Sequence, residues 1–208
     1  MSHIYPVFPG DEITTNDEII SAFEKAVDLR DMGAQTGWSQ AHMASIYARF
    51  NRGNDAMYCL NNLTRSCMQT NFFTLHNDWR RMDLSLEMDA AAPIQLDASM
   101  GYVNAVQEMI LYSSKKLIKL LPALSDNIQH GKIMNWRFEG GIIDMEWDIQ
   151  KNEFKAELTA TKTFDTAIEL PAFCADNIIC NSKSIISQND RTVEIGFIKG
   201  DKLILINK

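Results

Sequence analysis

The sequence predicts an α+β chain in two parts, helical hairpins first and a small antiparallel β-sandwich after them. Apolar residues recur at helical spacing through the first half, and from Lys116 onward the apolar period shortens to two. An apolar fraction of 46% over 208 residues supplies enough hydrophobic surface for a core under both parts.

Taken in order, Thr15 followed by Glu18 forms a capping box, after which Ile19, Ile20, Phe23, Ala26 and Val27 mark one buried helix face. That helix is expected to end between Arg30 and Gly33. After Thr36-Gly37, the stretch Trp38 to Phe50 places Ala41, Ser45 and Ala48 on one side, with Met43, Ile46, Tyr47 and Phe50 alongside. Asn51 to Gly53 breaks it. A third helix is expected over about Asp55 to Met68, on Met57, Leu60, Leu63 and Cys67. A fourth is expected over about Ala98 to Leu111, on Val103, Val106 and Ile110. Between them, Gln69 to Leu96 has no clear period. Loops of that length inside a compact domain are usually functional or disordered, and the apolar residues here, among them Phe72, Phe73, Trp79 and Leu84, argue against disorder.

The period of two appears in Ile133 to Phe138, Ile142 to Trp147, Phe154 to Ala160, Thr192 to Phe197 and Leu203 to Ile206. Gly140-Gly141, Lys151-Asn152, Asn189-Asp190 and Gly200-Asp201 separate these runs as tight turns. The junction therefore falls near Ser113 to Leu121, dividing a helical part, 1–115, from a β part, 116–208.

Composition narrows the function classes. The apolar runs are far short of the roughly 20 residues needed to cross a bilayer, and the N-terminus is polar where a signal peptide would be apolar, so no membrane partner is expected. The net charge is −7, and its acidic excess lies in residues 1–112, which hold 7 basic and 14 acidic side chains. A negative field repels phosphate backbones, which argues against nucleic acid and leaves neutral sugars unaffected. Cys59, Cys67, Cys174 and Cys180 have no metal-ligand spacing and read as reduced core thiols, disulfide pairing being the alternative in an exported chain. No metal triad, Gly-rich phosphate loop or Ser-His-Asp motif stands out, and no cofactor is implied.

Several motifs in fixed order resemble one enzyme family. Ser2-His3-Ile4-Tyr5, Phe8-Pro9-Gly10 and Ile13-Thr14 resemble the S-H-L-Y…P-G…I-T run of glycoside hydrolase family 95. Thr36-Gly37-Trp38-Ser39 with Tyr47-Ala48-Arg49 is similar to its T-G-W-S…W-A-R-L helix. Asn71-Phe72-Phe73, His76 and Ile94-Gln95-Leu96-Asp97 resemble the N-L-F…H-P…Q-I-D-G-N-F-G stretch that holds the family's catalytic base. Leu120-Leu121-Pro122-Ala123-Leu124 and Gly140-Gly141 look like runs that open its C-terminal β-domain. Two departures stand out: Ala98-Ser99-Met100-Gly101 replaces G-N-F-G, and the insertion between His76 and Asp97 is longer.

The resemblance implies the end of an (α/α)₆ barrel, with a cleft for a terminal L-fucose or related L-sugar hydrolysed with inversion. Asp97 matches the base. The general acid and the asparagines that polarise the base would come from segments upstream of Ser2, so the chain alone is expected to be inactive. About four of twelve barrel helices are accounted for, and another copy or a separate upstream chain would cover the open helix faces.

Each candidate also has a plainer reading. Asp97 suits a helix N-cap ahead of Ala98, a site that attracts negative charge and so also suits a base. His3 and His76 are sugar-contacting candidates beside the commoner role of a satisfied structural histidine. Trp38 and Trp79 are candidate stacking faces for a pyranose, with core packing the first reading of Trp38; Gln95 is a substrate-binding candidate from its motif, and the role of His42 is open. Asp83, Glu87 and Asp89 read as a solvated acidic loop rather than a replacement acid.

Overall fold

The computed structural model describes residues 4–11, 17–30, 35–86, 92–174, 178–182, 184–189 and 191–207. His3, Thr15, Glu87 and Asp89 lie outside the described residues. The chain divides into two compact units, Met1–Met109 and Ile110–Lys208.

Among the described residues, the first unit holds four helices: α1 (Asp17–Asp28), α2 (Gly37–Arg49), α3 (Gly53–Ser66) and α4 (Leu96–Ile110). Helix α2 begins where Thr36 caps it, the threonine Oγ1 accepting from the Ser39 N–H at 3.2 Å. It is buried on more than one side, with Ala41, Met43, Ala44 and Ile46 fully enclosed, so its small side chains are where its neighbours approach. A Cβ at Gly37 would stand 2.7 Å from the Leu75 carbonyl, and one at Gly101 would stand 2.8 Å from the Ala41 Cβ. Glycine at both positions therefore sets how closely α4 and the segment around Leu75 lie on α2. Ala41, Leu63, Met68 and Ala98 form a core there, with Tyr102 packed against it.

The segment between α3 and α4 is ordered where it is described. Isolated bridges join Met68 to Thr74 and Leu75 to Ile94. The buried carboxylate of Asp78 accepts the backbone N–H groups of Arg80, Met82 and Leu84 at 3.2, 2.9 and 3.2 Å, which folds the chain around a single side chain. Ser85 reaches back to Ser66 on α3 at 2.8 Å.

Among the described residues, the second unit holds ten strands: β1 (Leu111–Ser113), β2 (Leu117–Leu120), β3 (His130–Phe138), β4 (Gly141–Asp148), β5 (Glu153–Ala160), β6 (Phe164–Glu169), β7 (Ile178–Asn181), β8 (Ile185–Gln188), β9 (Thr192–Phe197) and β10 (Lys202–Asn207). They form two five-stranded sheets, ordered β1-β2-β6-β9-β8 and β3-β4-β5-β10-β7. Every pairing is antiparallel except β2 with β6. This is the helical part plus β-sandwich that the change of period predicted. The alternation is explicit in β4, where Gly141, Ile143, Met145 and Trp147 are buried, and in β5, where Phe154, Ala156, Leu158 and Ala160 are. The Phe138 and Phe164 rings, one from each sheet, meet edge to face at 6.4 Å.

Sequence periodicity predicted five of these strands and missed β1, β2, β6, β7 and β8. Strands β1, β2, β7 and β8 have four residues or fewer, too short for an alternation to stand out, and in β6 the buried face carries Thr166 beside Ile168, which breaks the apolar alternation. Strand β3 carries a register shift between Ile133 and Trp136, where Asn135 takes a left-handed φ of 54° and gives its N–H to Asp144 Oδ1 at 2.6 Å.

Candidate active site

Asp97 is the second residue of α4, one position inside the helix, so it does not serve as the N-cap ahead of Ala98. Its Oδ1 accepts the Ala98 N–H at 3.1 Å. The side chain is exposed and lines a cleft of about 600 Å³ in the first unit. Phe8, Pro9, Trp38, Ala41, Met100 and Val103 make its apolar wall, and His42, Ser45, Asp97, Asn104 and Gln107 bring its polar groups. Asp97 is the one carboxylate among the described residues lining it.

Two helices and one loop position these groups. On α4, Met100, Asn104 and Gln107 follow Asp97 at about one-turn intervals, which carries one side of the helix along the cleft. Asn104 donates to the Ser45 hydroxyl of α2 at 3.3 Å, a polar tie across the small-residue contact at Gly101. The loop of Ile4 to Gly10 is pinned by Arg49 near the end of α2. The Arg49 guanidinium pairs with Glu108 of α4 in two bonds, 2.5 Å from Nε and 2.9 Å from Nη2. Its Nη1 donates to the carbonyls of Val7 and Gly10 at 3.4 and 3.2 Å, and its Cζ lies 5.6 Å from the Phe8 ring centroid. One side chain thus joins α2, α4 and the Phe8-Pro9 wall.

Trp38 is not the core residue its helical position suggested. It is 38% exposed and stacks on His42, with ring centroids 5.4 Å apart and planes 18° apart, while the Phe8 ring meets the same histidine at a tilt, centroids 5.5 Å apart. Gly101 leaves room for this ring, since a Cβ there would stand 3.1 Å from Trp38 Cζ3. Burial pushes the His42 imidazole below its ordinary 6.5, and the hydrogen bond to the Phe8 backbone offsets only part of this.

The remaining candidates fall elsewhere. Gln95 lies at the mouth of α4, and its Oε1 accepts the Trp38 N–H at 2.7 Å, so its side chain ties the first turn of α2 to the start of α4. His76 is half-buried and not among the cleft-lining residues; its carbonyl accepts the Gly37 N–H at 3.0 Å, and its Nδ1 is buried with no hydrogen-bond partner among the described residues. Trp79 is exposed and covered on one face by the Arg80 guanidinium at 4.6 Å, also away from the cleft. Asp83 is exposed and takes a left-handed φ of 58°. The structure brings together Asp97 with Trp38 and His42, and adds Phe8, Asn104, Gln107 and Arg49. The helical spacing of Asn104 and Gln107 from Asp97 was available in the sequence; the placement of Phe8 was not, because it depends on a contact 41 residues away.

The chain thus sets a carboxylate in an aromatic-walled cleft of its helical unit, with a β-sandwich following in sequence. Residues 1–110 match the family described as the glycosyl hydrolase family 95 catalytic domain, and the chain belongs to that family. It is 30% identical over 156 residues to alpha-L-fucosidase 2 of Arabidopsis thaliana, a match that covers 71% of this chain and 17% of that protein. Among solved structures, an α-L-rhamnosidase of Dictyoglumus thermophilum aligns with a TM-score of 0.48 at 12% identity, covering 98% of this chain and 24% of the other. An α-L-rhamnosidase of Streptomyces avermitilis, complexed with L-rhamnose, aligns at 0.46 and 10% identity, covering 96% and 20%.

Proposed function

We propose that this chain supplies the base side of an inverting glycosidase acting on terminal α-L-fucosyl or related L-sugar linkages of a glycan. The observation that supports this most directly is Asp97, which lines the cleft and stands where the sequence resembles the family's base motif. In such a reaction Asp97 takes a proton from a water that attacks the anomeric carbon on the face opposite the leaving oxygen. A carboxylic acid roughly 6.5–9.5 Å away protonates that oxygen, and the configuration inverts. The Asp97 Oδ2 has no hydrogen bond among the described residues, which suits an atom that receives a proton. Asn104 and Gln107 offer donors and acceptors for ring hydroxyls, and the exposed Trp38 ring offers a face for the apolar side of the sugar. With a single carboxylate among the described lining residues, the acid must come from outside that set.

The isolated chain is therefore expected to bind L-fucose in the millimolar range, with quenching or enhancement of tryptophan fluorescence, and to leave an aryl α-L-fucoside uncut. Asp97→Asn should weaken the binding. Absence of any fluorescence change up to high millimolar L-fucose would end the reading. Turnover by the wild-type chain, lost in Asp97→Asn, would show instead that a second carboxylate is already present.

One observation favours a second reading, a non-catalytic carbohydrate-binding or assembly module. Leu96, Met100 and Val103, on one side of α4, are 52%, 68% and 56% exposed, an apolar stripe that another chain or a second copy would cover. A monodisperse monomer in light scattering would count against assembly.

A further inference from the structure

A second depression, of about 330 Å³, adjoins the Asp97 cleft and shares with it Phe8, Pro9, Trp38 and His42. Its own residues are Tyr5, Arg30 and Ser39. The charge of its described lining is opposite in sign to the excess of the unit around it. The unit around it carries the acidic excess of the chain, yet no carboxylate lines this depression among the described residues, and Arg30 makes no ion pair among them. The charge of Arg30 is nonetheless felt in the shared wall, where it adds to the lowering of the His42 pKa after the larger effect of burial. Tyr5, 55% exposed, offers a ring face at the same place.

A guanidinium with no ion pair among the described residues, beside exposed aromatic rings in a hollow of sugar size that adjoins the Asp97 cleft, is suited to a ring that carries an anion. We propose that this depression is the subsite for the sugar next to the terminal L-sugar, and that it selects one bearing a carboxylate or sulfate. Arg30 holds the anionic group, Tyr5 takes the apolar ring face, and Ser39 contributes a hydroxyl. The sugar's place in the reaction rests on the glycosidase reading of the Asp97 cleft; the anion preference of the depression does not.

The test is calorimetric titration of the full chain at low salt with methyl α-D-galactopyranoside, its 6-uronide and galactose 6-sulfate. Charge-assisted hydrogen bonds to one guanidinium should make the uronide, the sulfate or both bind roughly tenfold tighter than the neutral glycoside. The two anionic arms distinguish a carboxylate-bearing from a sulfated substrate. The preference should shrink in high salt, vanish in Arg30→Gln and survive in part in Arg30→Lys. Equal affinity for all three sugars, or a preference that Arg30→Gln leaves intact, would overturn the proposal. Far-UV circular dichroism of Arg30→Gln should match the wild type, so that lost preference is not lost fold. L-Fucose binding and its response to Asp97→Asn are measured separately. A chain that prefers the anionic sugars and ignores L-fucose keeps this subsite while ending the L-sugar reading, and the opposite pattern does the reverse.

Discussion

Arg49→Met is the most informative single change in the helical unit. The wild-type guanidinium makes two charge-assisted bonds to Glu108 and donates to the Val7 and Gly10 carbonyls, and the two side chains are only 13% and 14% exposed. Methionine keeps part of the aliphatic stem and removes every one of those donors, leaving Glu108 charged and largely shielded from water. Breaking a buried pair by removing one partner costs about 3–5 kcal/mol, and the residual exposure here places the expected loss near the lower end, about 3 kcal/mol. Urea unfolding gives the total. Hydrogen exchange read by mass spectrometry then locates it, because the amides of Val7, Phe8 and Gly10 bond only within the loop that Arg49 pins. Their protection should fall first, along with L-fucose binding, while the strands of β4 and β5 keep theirs. Adding Glu108→Leu should recover part of the loss, since the stranded charge goes with it. An Arg49→Met variant within about 1 kcal/mol of the wild type, with loop protection unchanged, would refute the view that this side chain builds the cleft wall.

Burial lowers the His42 pKa, so below the ordinary 6.5 the unfolded chain binds protons that the folded one does not. The stability of the helical unit should therefore be complete above that value and decline as pH falls through it; comparing urea midpoints at about pH 7.5 and about pH 5.5 should show the decline in the wild type and a flatter dependence in His42→Gln, and an unchanged slope would remove His42 as its cause. Gly131→Ala should destabilise the β-sandwich by about 1–3 kcal/mol, because the new Cβ would collide with the Trp147 indole, a ring that is only 4% exposed. Adding Trp147→Leu should make the alanine nearly neutral in thermal melts; additive losses would mean that the clash is not with the indole.

Much of this molecule was readable from residue order. The helical spacing of α2, α3 and α4, the period of two in the long strands and the glycine- and asparagine-rich turns are local properties, set by which side chains recur on one face over a few residues. The family motifs were local as well, and they singled out Asp97 before any contact was known. Trp38 and Gln95 mark the limit of such reading. Trp38 sits in an amphipathic pattern that any core residue would fit, and the missing Cβ at Gly101 on another helix gives its half-exposed ring room to lie beside α4. Gln95 reads as a sugar ligand in its motif, and becomes a helix tie once the Trp38 N–H is found beside its side-chain oxygen.

What the sequence by itself determined, then, was the division into helices and strands, the family, and the carboxylate at the start of α4. Tertiary structure decided which side chains share a cavity with that carboxylate. Phe8, Trp38, His42, Asn104 and Gln107 come from three separate segments, brought together by the Arg49–Glu108 pair and by glycines small enough to let α2 and α4 touch. Periodicity reports the face a residue occupies on its own element; the group it meets across a gap depends on how elements pack, and no short stretch of sequence encodes that.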